Sequence, residues 1–168
     1  MKFVFVGNRK FVIDEMLERG LDLEAILVIK GSYIEGYLKS KNIPFKVVGT
    51  KKELVETLES LEFDTLISNG CPFILPVDKM KKRNYVNIHP SFLPDLRGAD
   101  PVIGSILFQR DSGATCHFMN EGIDKGDVIS QVLIPYSFDL DVSLLYQLSF
   151  QAEVECFVKA LEINFDNR

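Results

Sequence analysis

Short apolar runs alternate along the first third of this chain with segments whose apolar residues recur every three or four positions. Residues 2–6 form the first run, which leads through Gly7-Asn8 into Phe11, Val12, Met16 and Leu17 at helical spacing. Asn8 is placed to cap that helix and Gly20 to stop it. Residues 25–29 read as a strand buried on both faces. Ser32-Tyr33-Ile34-Glu35 has the spacing of a capping box for a helix to about residue 41, and residues 45–48 follow as a short strand. Thr50-Lys51-Lys52-Glu53 repeats the signature and opens a helix with Leu54, Val55, Leu58 and Leu61 on one face; residues 63–68 form the next strand. This βαβαβα rhythm predicts a parallel sheet of Rossmann-like type flanked by helices.

Farther on, residues 85–89 read as a strand and Pro101 as the first turn of a helix to about residue 108, with Val102, Ile106 and Leu107 inward. Strands are expected at residues 114–119 and 127–133. Asp141 is placed to cap a closing helix over residues 141–163 carrying Leu144, Leu145, Leu148, Ala152, Cys156, Phe157 and Leu161, before the polar end at residues 164–168. The 168 residues, 46% hydrophobic and 26% charged, fit a single α/β domain over residues 1–168.

Charge and cysteine content narrow the field. The formal net charge of −5, with only short basic clusters at Lys51-Lys52 and residues 79–83, disfavours nucleic acid as a partner. Cys71, Cys116 and Cys156 are odd in number and widely spaced in apolar surroundings, which suggests reduced core thiols. With no long apolar run and no cleavage pattern after Met1-Lys2, the expected setting is cytoplasmic and away from membranes. Asp111, Glu121 and Asp127 do not have the spacing of a calcium loop, and no paired His or Cys suggests zinc, so no metal is expected. Gly7-Asn8-Arg9 also lacks the G-x-G-x-x-G spacing of a dinucleotide loop.

The chemistry concentrates in Tyr85-Val86-Asn87-Ile88-His89-Pro90-Ser91-Phe92-Leu93-Pro94-Asp95-Leu96-Arg97-Gly98. Asn87 and His89 are two apart on a strand, so they face one spot where the strand gives way to an irregular turn. A carboxamide can bind a developing oxyanion and an imidazole can move a proton near neutral pH. Taken alone, these residues fit equally a core strand whose polar groups are satisfied by backbone. A second stretch, Gly113-Ala114-Thr115-Cys116-His117-Phe118-Met119-Asn120-Glu121-Gly122-Ile123-Asp124-Lys125-Gly126-Asp127-Val128-Ile129, sets Asp124 in a glycine-flanked loop 35 residues after His89. His117 reads as a histidine satisfied within its strand.

Together the two stretches resemble the 10-formyltetrahydrofolate-dependent formyltransferases. The likeness rests on the Asn-x-His-x-Ser-x-Leu-Pro pattern (Asn87, His89, Ser91, Leu93, Pro94), on Arg97-Gly98, and on Ile123-Asp124-Lys125-Gly126. The resemblance implies a Rossmann-like formyltransferase fold, Asn87, His89 and Asp124 as catalytic residues, and 10-formyltetrahydrofolate as co-substrate. It also implies that the loop Asn69-Gly70-Cys71-Pro72-Phe73-Ile74-Leu75-Pro76 holds the pterin ring, which makes Phe73, Ile74, Leu75, Gly122 and Ile123 the binding candidates. Neither Ser91 nor Cys71 has an adjacent base that would make it a nucleophile.

The acceptor is narrowed by elimination. Glycinamide ribonucleotide enzymes of the family carry a Gly-x-Gly-Ser-Asn loop where this chain has Gly7-Asn8-Arg9. Methionyl-tRNA enzymes carry a further domain and a long insertion that the span between Ile29 and Phe45 is too short to match. An amino-sugar nucleotide is the expected acceptor, the turn Arg97-Gly98-Ala99-Asp100-Pro101 resembling that of the sugar and tRNA enzymes. A methionyl-tRNA or glycinamide ribonucleotide formyltransferase, a formyltetrahydrofolate hydrolase and a non-catalytic folate-binding module are the alternatives. The short chain also fits a minimal catalytic domain that works as a homo-oligomer or with a partner subunit.

Overall fold

The computed structural model describes residues 1–98, 100–122 and 124–166, in two compact units, Met1–Val86 and Asn87–Arg168. In the first, β1 (Phe3–Gly7), α1 (Lys10–Glu18), β2 (Leu23–Ile29), α2 (Ile34–Ser40), β3 (Lys46–Val48), α3 (Lys51–Ser60) and β4 (Thr65–Asn69) alternate, and β1 lies parallel to β2 and β4. Every residue of β1 and β4 is buried, as a parallel strand covered on both faces requires. Val12, Ile13 and Met16 of α1, and Leu54 and Leu58 of α3, are the inward stripes.

The caps follow the sequence in some places and depart from it in others. Thr50 Oγ1 accepts the Glu53 N–H at 3.1 Å, as expected, while the Glu53 carboxylate returns to the Gly49 N–H at 3.0 Å. Gly20, at φ 64°, closes α1 by donating to the Leu17 carbonyl at 3.0 Å. Asn8 is not the cap of α1: the N-cap is Arg9, without a side-chain bond, and the Lys10 N–H goes to the Tyr33 hydroxyl at 3.1 Å. Ser32 does not cap α2 either. Its hydroxyl donates back to the Ile29 carbonyl at 2.6 Å, and Glu35 accepts from Gly31, so the turn after β2 absorbs both groups before the helix begins.

β5 (Asn84–His89) spans the boundary, and α4 (Pro101–Leu107), β6 (Ser112–Phe118), β7 (Val128–Ile134) and α5 (Val142–Glu162) complete the second unit. The strands form a seven-stranded sheet in the order β3-β2-β1-β4-β5-β6-β7, mostly parallel and closed by the antiparallel pair β6–β7. α5 packs on β6 and β7 through Leu145, Ala152, Cys156, Phe157 and Ala160, and Asp141 caps it by accepting the Leu144 N–H at 2.7 Å. Leu107 and Leu144, expected in the core, are 71% and 42% exposed. Leu107 stands two residues beyond the inward Ser105, about 200° around the helix, and Leu144 one residue before the inward Leu145, about 100° around.

All three cysteines are thiols; burial pushes Cys71 and Cys156 up to about 11 and raises Cys116 well above its ordinary value, so none is a ready thiolate. No described helix is long and apolar enough to cross a membrane.

Candidate active site

The site grows from the end of β5. Asn87 and His89 are two apart in β5, so their side chains share a face opposite to that of the buried Val86 and Ile88, and Pro90 follows at once. The loop after it is tied to β6 by one hydroxyl. Thr115 Oγ1 donates to the Ser91 carbonyl at 2.7 Å and accepts the Leu93 N–H at 3.0 Å, while Gln131 Nε2 donates to the Leu93 carbonyl at 2.8 Å. Leu96, held at φ 55°, turns its carbonyl to 2.9 Å from His89 Nε2. A carbonyl only accepts, so His89 carries its hydrogen on Nε2.

Asp124 stands on the other side of that ring. Its backbone is left-handed, at φ 50°, a conformation that Asp adopts more readily than most residues and that tends to persist at functional sites. Oδ2 lies 3.4 Å from His89 Nδ1 and accepts the Gly98 N–H at 2.9 Å. Oδ1 lies 3.4 Å from His117 Nε2 and accepts from Asn87 Nδ2 at 3.3 Å, and Arg97 Nε donates to the Asp124 carbonyl at 3.2 Å. Burial alone would raise the Asp124 carboxyl. The hydrogen bond to His117, the charge of His89, the Gly98 N–H and the charge of His117 together outweigh it and hold the group below its ordinary value of 3.8. The result is a mostly buried carboxylate flanked by two imidazoles, with an amide beside it.

Residues 8–161 match the profile of the formyl transferase family. The chain belongs to that family. It is 26% identical to the methionyl-tRNA formyltransferase of Halalkalibacterium halodurans over 96% of its own length and 57% of that protein's, so it spans little more than half of that relative. Its fold matches a phosphoribosylglycinamide formyltransferase from Streptococcus pneumoniae TIGR4 with a TM-score of 0.82 at 23% identity, covering 98% of each chain. It also matches a sugar N-formyltransferase from a Shewanella species with a TM-score of 0.78 at 21% identity, covering 96% of this chain and 68% of that one. Likeness at these identities shows a shared formyltransferase architecture.

The structure therefore brings together Asn87, His89 and Asp124, and adds His117. The sequence reading left that histidine satisfied in its strand, which holds for one side of the ring: Nδ1 lies 2.9 Å from the Phe118 carbonyl. The other side, Nε2, faces Asn87 Nδ2 at 3.3 Å. Thr115 and His117 are two apart and share a face, opposite to Ala114 and Cys116, whose face meets α5 through Cys156; that alternation is the signal that could have marked His117. The register of β6 against β7 shifts between Cys116 and His117, with the extra residue, Ile129, in β7, so β6 itself keeps its alternation.

The remaining binding candidates are more dispersed. In the loop after β4, Phe73 is half-buried, Ile74 is 49% exposed and Leu75 is in the core. Gly122 N–H is taken by Asn120 Oδ1 at 2.8 Å, and Ile123 lies outside the described residues. Ser91 is buried with its hydroxyl donated to the Asp95 carbonyl, so it offers no nucleophile.

Because Thr115 Oγ1 serves three groups, Thr115→Val removes the hub while keeping its shape. Leaving the buried Leu93 N–H without that acceptor costs about 1–3 kcal/mol. The urea midpoint of unfolding is expected to fall accordingly; an unchanged midpoint would show that the loop after β5 does not depend on β6.

Proposed function

We propose that this chain transfers the formyl group of 10-formyltetrahydrofolate to a primary amine, with a nucleotide-linked amino sugar as the acceptor. The observation that carries the reading is the convergence of Asn87, His89 and Asp124 at the end of β5, with His89 held between an acceptor carbonyl and a carboxylate.

The co-substrate supplies a formyl carbon for the amine to attack, and the protein's residues manage the charge and the protons. As negative charge builds on the formyl oxygen, Asn87 Nδ2 and His89 Nε2 exchange their internal acceptors for that oxygen and donate to it. Asp124 fixes the ring of His89 through Nδ1. The attacking amine gives up a proton and the departing folate nitrogen takes one, a transfer that the His89–Asp124 pair can mediate. No covalent enzyme intermediate is needed. The extended loop carrying Phe73, Ile74 and Leu75 is the candidate for holding the pterin by its main chain, with Gly122 and Ile123 as further contacts.

Two observations favour a small amino-sugar acceptor. The Arg97-Gly98 turn, whose sequence resembles that of the sugar and tRNA enzymes alike, is attached directly to Asp124 through both Arg97 Nε and the Gly98 N–H. The loop after β1 lacks the Gly-x-Gly-Ser-Asn pattern of the ribonucleotide enzymes, and Asn8 and Arg9 stand in it instead. The test is turnover of 10-formyltetrahydrofolate, followed by the absorbance of tetrahydrofolate formation, with a panel of aminodeoxy-sugar nucleotides, glycinamide ribonucleotide and methionyl-tRNA. Turnover with an amino sugar alone is the expected result. Turnover with one of the other two acceptors would overturn the acceptor class, and turnover without any amine would make the chain a hydrolase.

A further inference from the structure

His117 takes no part in the chemistry proposed above, yet it is 2% exposed and both of its ring nitrogens face polar atoms. Burying an imidazole costs stability unless its nitrogens find partners. Nδ1 lies 2.9 Å from the carbonyl of the next residue, Phe118. A carbonyl only accepts, so the hydrogen of the neutral ring sits on Nδ1 and Nε2 presents a lone pair.

That lone pair completes a triangle. Nε2 stands 3.3 Å from Asn87 Nδ2 and 3.4 Å from Asp124 Oδ1, and Nδ2 stands 3.3 Å from the same Oδ1. With acceptors at two corners, the third must supply hydrogen, and only the NH₂ of Asn87 can do so. Turning the carboxamide over would set its oxygen against a carboxylate and a lone pair. The NH₂ end is therefore fixed twice, once by each acceptor. The two acceptors part company during the reaction. When Nδ2 gives a hydrogen to the formyl oxygen and releases Asp124 Oδ1, a carboxamide held by the carboxylate alone would be free to swing. Its other hydrogen can stay on His117 Nε2, an acceptor on which the reaction makes no other demand.

We propose that His117 is a positioning residue for Asn87, its Nε2 holding the carboxamide with the NH₂ end presented to the formyl oxygen. This rests on the formyl-transfer reading above and deepens it. Protonation of the ring reverses the contact: Nε2 then carries a hydrogen, donates it to Asp124 Oδ1 and sets a donor against the Asn87 NH₂. The charged and titrating groups around the triangle are Asp124 itself, His89 at its other oxygen and Arg97 at its main-chain carbonyl. All three stay in place when His117 is exchanged, so a comparison of variants isolates the ionisation of His117.

The test compares His117→Phe, which keeps a ring and offers no acceptor, with His117→Gln, whose carboxamide can accept from Asn87 and does not titrate. His117→Phe is expected to lower kcat about 10-fold, as for the loss of one uncharged hydrogen bond, with both KM values changed by less than about twofold. His117→Gln is expected to recover most of that loss and to show one ionisation fewer on the acid limb of its kcat–pH profile. In an Asn87→Ala background His117→Phe should have no further effect, because a residue that acts through Asn87 has nothing left to position. An unchanged kcat in His117→Phe would overturn the inference. So would effects of His117→Phe and Asn87→Ala that multiply, which would give the histidine to Asp124 or to the fold. Circular dichroism checks that each variant is folded, and long-range proton–nitrogen NMR correlations of the wild type give a readout that needs neither variant nor turnover. At about pH 8.5, above the ordinary imidazole range, they are expected to show the hydrogen of His117 on Nδ1 and none on Nε2. A neutral ring with its hydrogen on Nε2 would overturn the inference. No turnover by the wild type with any acceptor would sink the function reading and this role together, whereas turnover that is insensitive to His117 would sink this role alone.

Discussion

His89→Ala is expected to lower kcat by about 10²–10³-fold, equivalent to about 2.7–4 kcal/mol of transition-state stabilisation, with little change in the KM of either substrate. The reason lies in what surrounds the ring. His89 is buried, its Nε2 proton is aimed by the Leu96 carbonyl, and Asp124 stands 3.4 Å from Nδ1, so the imidazole is oriented before any substrate arrives. In a site where water is scarce, an oriented donor is worth more to a growing oxyanion than one that must be recruited. An alanine leaves Asn87 to meet the oxygen alone. Steady-state kinetics of the variant, with circular dichroism to confirm that it is folded, check the expectation; a kcat within threefold of the wild type would remove His89 from the mechanism.

Asp124→Asn is expected to cost at least about 10²-fold in kcat and, separately, to change how stability depends on pH. Asparagine tolerates the φ of 50° as aspartate does, so the backbone need not move. Its amide cannot serve every partner. Oδ1 and Oδ2 between them face Asn87 Nδ2, the Gly98 N–H and two imidazole nitrogens, and an NH₂ in place of one oxygen sets a donor against a donor while removing the charge beside His89. The pH effect follows from the lowered carboxyl: burial opposes the charge, but the His117 hydrogen bond, His89 and the Gly98 N–H prevail. The unfolded chain binds this proton more readily than the folded one. The stability contributed by Asp124 is therefore fully present above its ordinary value of 3.8 and is lost as pH falls through the lower folded value. Urea unfolding of both proteins between neutral pH and about pH 2 reads this directly: the advantage of the wild type over Asp124→Asn should shrink only below about pH 4. An advantage that is constant across that range would mean that the carboxylate is not preferentially stabilised by the fold.

The effects of the two variants should not add. His89 and Asp124 act through one contact, so the double variant is expected to lose about as much kcat as the worse single variant.

Local physics was legible where a group meets neighbours a few residues away. The apolar runs of β1 and β2 announced buried parallel strands, and Thr50 and Asp141 accept the N–H groups three residues on that their positions foretold. Asn87 and His89 declared a common face because strand geometry has a period of two. The same local reasoning failed at Asn8 and Ser32, where another acceptor or another turn was closer, and at Leu107, where a short helix turned an apolar residue outward.

What the sequence by itself determined is the order of strands and helices, the βαβ alternation and the face shared by Asn87 and His89, because these depend on side-chain period and on caps within a few residues. What only the tertiary structure decided is which distant groups meet. It set His117, 30 residues beyond Asn87, against the same carboxylate, gave Asp124 its Gly98 partner, aimed His89 with the Leu96 carbonyl, and left the buried Asn69 carboxamide without a hydrogen-bond partner among the described residues. Each depends on the register of β6, on the left-handed backbone at Leu96 and Asp124, or on the packing of strand ends. Such long-range contacts are selected by the fold as a whole, and residue type and spacing along the chain leave them undetermined.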